Sequence, residues 1–247
     1  MENPIIETFG LGKKYHISNL VNKNTEEKGL LGGIKSIITQ PRHQPKWALR
    51  NIDIKVEQGD IVAVLGGNGS GKSTLFRLLS EITDPSEGEI ILRGSVSCIL
   101  EAGVGFHHEL TGKENIYLNG TLLGMSTEEI NAQFDQIVAF SELEQYLNVP
   151  IKKYSSGMYI RLAFAVASFL RTDILLVDEV LSMGDESFRQ KSIKRMKQMA
   201  DEGCTIMMVS HDAKILRDIC CSAIHIEQGQ LIGQGSMGEL FKSYSEK

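Results

Sequence analysis

Long hydrophobic runs are what this chain of 247 residues lacks most plainly. Its longest apolar stretches, such as Ile61 to Leu65 and Leu162 to Val166, fall far short of the roughly 18 consecutive apolar residues that a membrane helix needs. The chain is therefore expected not to span a bilayer. Met1-Glu2-Asn3-Pro4 is not a basic region followed by an apolar one, which argues against a secretory leader and for the cytoplasm. Cysteine is scarce and unpatterned: Cys98, Cys204, Cys220 and Cys221 show no Cys-x-x-Cys spacing. The last two are too close for an ordinary bridge, so reduced core thiols are expected in place of a metal or redox centre. Internal repeats and low-complexity segments are missing too.

What remains is globular in composition, with 42% hydrophobic and 23% charged residues, enough for one or two closely joined domains. The net charge of -5 is unevenly spread, because residues 1 to 50 carry eight Lys/Arg against four Asp/Glu. A basic front end suits anionic lipid headgroups or an anionic substrate, and equally a solvated surface segment.

A strand-like start at Ile5 to Phe9 leads to Tyr15, and a polar stretch from Asn19 to Pro45 encloses one apolar island, Leu30 to Ile38, with the pattern of a short amphipathic helix. Ala48 to Val56 alternates as a strand. Ile61 to Leu65 reads as a buried parallel strand feeding a glycine-rich loop. Thr111-x-x-Glu114 and Ser126-x-x-Glu129 are capping boxes that open a helical stretch between Phe106 and Pro150. Beyond Gly157, helix and strand alternate as βα units do, with strands at Ile174 to Asp178 and Thr205 to Val209 and a last helix at Met237 to Tyr244. The pattern describes an α/β core with an inserted helical subdomain.

Chemistry concentrates at four places. Gly66-Gly67-Asn68-Gly69-Ser70-Gly71-Lys72-Ser73-Thr74 fits G-x-x-x-x-G-K-[ST] between a strand and a helix. Glycines let backbone amides wrap phosphates, the helix N-terminus favours the anion, Lys72 adds a charge, and Ser73 offers Mg²⁺ a ligand. The pattern predicts an ATP site. The strand Ile174 to Val177 ends on Asp178 and Glu179, carboxylates suited to hold Mg²⁺ and to orient or deprotonate water. His211, after the strand Thr205 to Val209, reaches the same sheet edge, where an imidazole bonds a γ-phosphate or serves structure alone. Tyr154-Ser155-Ser156-Gly157-Met158 opens an apolar helix, either as a second anion site or as an ordinary N-cap.

With these segments quoted, the whole chain resembles the ATP-binding cassette (ABC) ATPases. Walker A corresponds to Gly66 to Thr74, Walker B to Ile174 to Glu179, the D-loop to Ser182-Met183-Gly184-Asp185, the switch histidine to His211 and the signature to Tyr154 to Met158. Tyr-Ser-Ser-Gly-Met-Tyr-x-Arg-Leu-Ala-Phe-Ala-Val-Ala is similar in particular to the ATPase subunits of O-antigen, capsule and teichoic-acid exporters. So are the segments Phe106 to Tyr117 and Asp178 to Asp185.

The resemblance implies a P-loop NTPase fold with a RecA-like core and an antiparallel β subdomain in 1–105 and 171–247, an insertion at 19–45 and a helical subdomain at 106–170. It implies a head-to-tail dimer sandwiching two ATP, in which Ser155 and Gly157 of one copy close over the phosphate loop of the other. Glu179, His211, Lys72 and Asp185 would complete the catalytic set, Asp178 and Ser73 would hold Mg²⁺, and Tyr15 would stack on adenine, with Trp47 as its rival. A separate membrane-spanning permease and, through it, a lipid-linked polysaccharide would be the partners, at the cytoplasmic face of the bacterial inner membrane. Export of a drug or lipid is the alternative within transport, whereas action on nucleic acid or ribosomes would call for a coiled-coil insertion or tandem cassettes, and neither is present. A C-terminal carbohydrate-binding domain is not expected after the helix ending near Tyr244. One departure concerns the glutamine usual before the helical subdomain: Ser97 to Gly103 offers only Glu101, expected as a metal-linked acceptor beside Ser73 and Asp178 but unable to donate as an amide does.

Overall fold

The computed structural model describes residues 3–17, 44–99, 105–178, 185–210 and 212–245. The expectations placed on Leu30 to Ile38 and most of the 19–45 insertion, and on Glu101, Glu179, Ser182 to Gly184 and His211, lie outside these residues. In chain order the elements are β1 (Ile6–Ile17), β2 (Gln44–Ile52), β3 (Lys55–Val56), β4 (Ile61–Leu65), α1 (Lys72–Leu79), β5 (Glu87–Leu92) and β6 (Val96–Ile99). Then come α2 (Gly112–Leu122), α3 (Thr127–Ser141), two short 3₁₀ turns, α4 (Ser156–Ser168), β7 (Ile174–Asp178), α5 (Glu186–Asp201), β8 (Thr205–Val209), α6 (Ala213–Ile219), β9 (Ser222–Glu227), β10 (Gln230–Ser236) and α7 (Met237–Ser245). Among the described residues, no helix is long and apolar enough to cross a membrane.

Two sheets organise the chain. β1, β2, β3 and β5 pair antiparallel. The second sheet runs β10-β9-β4-β8-β7-β6, parallel from β9 to β6 with β10 antiparallel at its edge. The Ala48–Val56 alternation does not form one strand: Asn51 adopts φ 54°, and pairing with β1 lapses at Asp53 and Ile54, between β2 and β3, before resuming in nearly the same register. A short polar side chain tolerates that left-handed conformation, so the break costs little.

Strand alternation divides the parallel sheet between two cores. Val62, Val64, Leu176, Met207 and Ile224 pack with the antiparallel sheet and with Leu75, Phe76 and Leu79 of α1. Ala63, Leu65, Leu175, Val177, Ile206 and Met208 face the other way, toward α4, α5 and the helical subdomain. Both capping boxes form as the sequence requires, each hydroxyl accepting from the glutamate amide at 3.2 Å and each carboxylate accepting from the cap amide at 2.8 Å. Those backbone bonds hold the Glu114 and Glu129 carboxyls below their ordinary range.

Cys204 and Cys220 are buried and Cys98 half-buried. Burial pushes the Cys204 thiol up to about 11 and that of Cys98 up to about 12. Cys221 departs from the expected core thiol. It lies exposed between the end of α6 and the start of β9, where its Sγ approaches Asp60 Oδ1 at 3.6 Å.

Candidate functional site

β4 sits inside the parallel sheet and delivers Gly66 at its C-terminal end, where ligands bind in sheets of this kind. Gly66 adopts φ 151° and Gly71 φ 114°. A Cβ on Gly66 would lie 2.2 Å from the Ile226 carbonyl, and one on Gly71 2.7 Å from the Ala48 carbonyl. The loop is thus wedged against two strands and admits only glycine at both ends. Gly67, Asn68 and Gly69 between them are exposed. Lys72 is buried, and its Nζ donates to the carbonyls of Gly66 at 2.7 Å and Gly67 at 3.0 Å, so the ammonium closes the ring of the loop.

No side chain caps the N-terminus of α1, and no acid stands in its first turn. The next five helices, α2 to α6, are each closed by a side-chain oxygen: Thr111, Ser126, Ser155, Asp185 and Asp212. Leaving the amides and positive dipole end of α1 uncapped suits an anion there.

β7 ends on Asp178, paired in register with Val209 of β8. Ser73 Oγ, at the start of α1, donates to Asp178 Oδ2 at 3.5 Å. Two side-chain oxygens, one of them a carboxylate's, therefore meet beside the loop. Among the described residues no group of three or more His, Cys, Asp or Glu forms a metal cage. This donor set fits Mg²⁺, which is commonly held by one or two protein oxygens together with substrate phosphates and water. Ser210 follows β8 at the same edge, its Oγ accepting from the Asp212 amide at 3.0 Å.

The two candidate aromatics separate cleanly. Register shifts in the β1–β2 pair set Lys13 opposite Leu49, Lys14 opposite Trp47 and Tyr15 opposite Lys46. Strict alternation fails at these shifts, because successive residues Lys13 and Lys14 oppose Leu49 and Trp47, which are two apart on β2. Cation contacts separate the two rings: Lys13 Nζ lies over Tyr15 at 5.4 Å, and Lys14 and Arg50 flank Trp47 at 5.6 and 5.3 Å. Tyr15 is 37% exposed, open to stacking.

Ser155 and Gly157 stand apart from this set, in the helical subdomain. Ser155 caps α4, its Oγ accepting from the Met158 amide at 3.2 Å. It is exposed, and a Cβ on Gly157 would meet only that Oγ, at 3.9 Å. Asp185 caps α5 through the Phe188 amide at 2.9 Å, which with the Arg161 guanidinium holds its carboxyl below the usual range. Arg161 was not singled out from sequence. Its signal was available, since it is the one charged residue within the apolar helix 156–168.

The ABC transporter family model matches residues 49–182, a span that holds the phosphate loop, the Ser155 helix and the Asp178 strand. The chain belongs to the ABC transporter family. It carries that family's ATP-binding, ATP-hydrolysing domain. It is 42% identical over 199 residues to an O-antigen export system ATP-binding protein of Myxococcus xanthus, covering 81% of this chain but only 46% of that one. Against one of Klebsiella pneumoniae it is 39% identical over 251 residues, covering 99% of this chain and 98% of the relative. A teichoic acids export ATP-binding protein of Lactococcus lactis is 35% identical over 236 residues, covering 96% of this chain and 49% of its own length. The chain thus spans nearly the whole of one of these relatives and about half of the other two. A dimeric ATP-binding cassette with ADP and Pi shares the fold, with a TM-score of 0.73, 21% identity and coverage of 94% and 98% of the two chains.

Proposed function

We propose that this chain is the ATP-hydrolysing subunit of a polysaccharide exporter, moving a lipid-linked glycan of the O-antigen class across the bacterial inner membrane from its cytoplasmic face. The observation that carries the catalytic half is the approach of Ser73 to Asp178 beside an uncapped, glycine-walled helix start. The export half is supported by end-to-end similarity to the Klebsiella pneumoniae protein.

In this reading the loop amides and Lys72 bind the β- and γ-phosphates, and Tyr15 stacks on adenine. Ser73 and Asp178 hold Mg²⁺, which supplies charge neutralisation on the phosphates when bound. Glu179 orients or deprotonates the attacking water, and His211 steadies the γ-phosphate. Ser155 and Gly157 serve the ATP of a second copy, docked head to tail. They stand in their own exposed cluster, bonded locally, with room above Gly157 for a phosphate. A permease subunit supplies the membrane path. We assign the catalytic core and β subdomain to 1–105 and 171–247 and the helical subdomain to 106–170.

Two measurements test this. Glu179→Gln should abolish ATP turnover while retaining ATP binding; turnover equal to wild type would remove the catalytic assignment. Deleting the gene should make a lipid-linked polysaccharide accumulate on the cytoplasmic side. Accumulation of a teichoic-acid precursor in its place would favour the related wall-polymer reading, and an unchanged cell surface would refute export altogether.

A further inference from the structure

The last helix reaches the phosphate loop from behind. Met237, on which α7 begins, donates its amide to the Cys221 carbonyl just before β9 at 3.1 Å, and Tyr244, two turns later, lies edge-on to the His225 ring with centroids 5.3 Å apart. α7 therefore runs alongside β9 in the same direction and ends at the sheet edge where β4 gives way to the loop. His225 stands opposite Leu65 in register, and its neighbour Ile226 supplies the carbonyl that walls Gly66. Behind the loop, Phe241 and Tyr244 line a cavity of about 60 Å³ together with Gly66, Lys72 and Ser210. Arg217 of α6 covers the Phe241 ring at 5.0 Å, and Phe241 in turn lies 6.3 Å from Tyr244.

We propose that Tyr244 is a positioning residue for ATP binding: with Phe241 beside it, its ring forms the back wall that holds the phosphate loop and the Lys72 stem in the shape that receives phosphate. The proposal rests on the reading of that loop as the phosphate site. The cavity holds about two water molecules and no nucleotide, so Tyr244 acts on ATP through the loop and not by touching it.

The loop needs such a wall. A Cβ on Gly67 or Gly69 would meet nothing within 4 Å, so the outer half of the loop is unsupported, and glycine backbone is the costliest to order. The inner half rests on the Ile226 and Ala48 carbonyls and, through His225 of β9, on Tyr244. A wall that shapes the loop before ATP arrives removes the ordering cost from binding. Leu240, one turn before Tyr244, serves a different contact: its Cδ2 would lie 3.2 Å from a Cβ on Gly233 of β10. Holding α7 on the sheet and holding the loop are thus assigned to different side chains of one helix.

The test uses the full chain and measures ATP and AMP affinity by direct binding, with thermal melting alongside. Tyr244→Ala should raise the ATP dissociation constant about tenfold, roughly the cost of ordering one loop residue, and leave that of AMP, which lacks the β- and γ-phosphates, as in wild type. Tyr244→Phe, which keeps the ring, should match wild type for both nucleotides. Leu240→Ala should lower the melting temperature as Tyr244→Ala does while binding ATP as wild type does. Should alanine at 244 unfold the chain, Tyr244→Leu, which keeps much of the apolar volume without the aromatic edge, should show the same ATP-selective loss at about threefold. Wild-type ATP affinity in the folded Tyr244→Ala or Tyr244→Leu chain, an equal loss for AMP, a loss in Tyr244→Phe as large as in Tyr244→Ala, or an equal loss in Leu240→Ala would each overturn the proposal. If wild type itself binds ATP no more tightly than AMP, the phosphate-loop reading fails first and takes this proposal with it.

Discussion

Two helices in this chain begin on small residues and look alike in sequence, yet the fold treats them differently. α1 starts at Lys72 behind Gly71, has no side-chain cap, and is walled by the carbonyls of Ala48 and Ile226. α4 starts at Ser156, capped by its own Ser155, exposed, with open space over Gly157. The first is a pocket already built for an anion by one chain. In the function proposed above, the second is half a pocket whose missing wall is a second copy. Glycine content alone does not separate the two cases; what surrounds each glycine does.

Substitutions can break that contrast. Lys72→Met should have the largest effect, lowering ATP turnover about 10²–10³-fold, since in the proposed function it removes a charge that serves the transferred phosphate. Gly66→Ala should come next. Its Cβ would collide with the Ile226 carbonyl, so a loss of about 2–4 kcal/mol in denaturant unfolding is expected, together with loss of ATP binding. Gly157→Ala sharpens the comparison from the other side: melting should stay unchanged or rise slightly, because alanine favours a helix and nothing lies in its way. Turnover should nevertheless fall about tenfold, as the added methyl meets the partner's phosphate. If that variant turns over normally, the shared site is not built on α4. Ser155→Ala should cost about 1 kcal/mol of stability through the lost cap.

The smallest effect is acid sensitivity. Glu109, Glu114, Glu129 and Asp185, all in the helical subdomain or at its junction with α5, have carboxyls held below their ordinary range by backbone amides, hydroxyls or cations. A depressed folded value contributes stability above the unfolded carboxylate range, and that contribution is lost as pH falls through the lowered values. Amide exchange near pH 3 should therefore rise first around α2, α3 and the start of α5, before α1. Uniform exchange would argue against the split.

Much of the site was legible because its chemistry is local. A phosphate loop, a capping box and an apolar strand ending on a carboxylate are each written within a few neighbouring residues, and the structure forms them at Lys72, Thr111, Ser126 and Asp178 as read. Readings that depended on pairing fared less well. The single strand expected over Ala48 to Val56 is interrupted at Asp53 and Ile54, just past the left-handed Asn51, and Cys221 emerged exposed before β9. Neither depends on composition; both depend on where the chain must bend to keep register.

The sequence by itself determined the phosphate loop, the helix starts and the family, because short-range spacing dictates hydrogen bonding within one turn or one strand. Only the tertiary structure decided three matters. Parallel pairing of β7 and β8 set the level at which Asp178 meets Ser73. Bulges between β1 and β2 set Tyr15 and Trp47 beside different cations. Convergence of α3, α4 and α5 made Arg161 a junction of two carboxylates. In each case the partners are distant in sequence, and a one-residue slip in register would have sent the side chain to the opposite face.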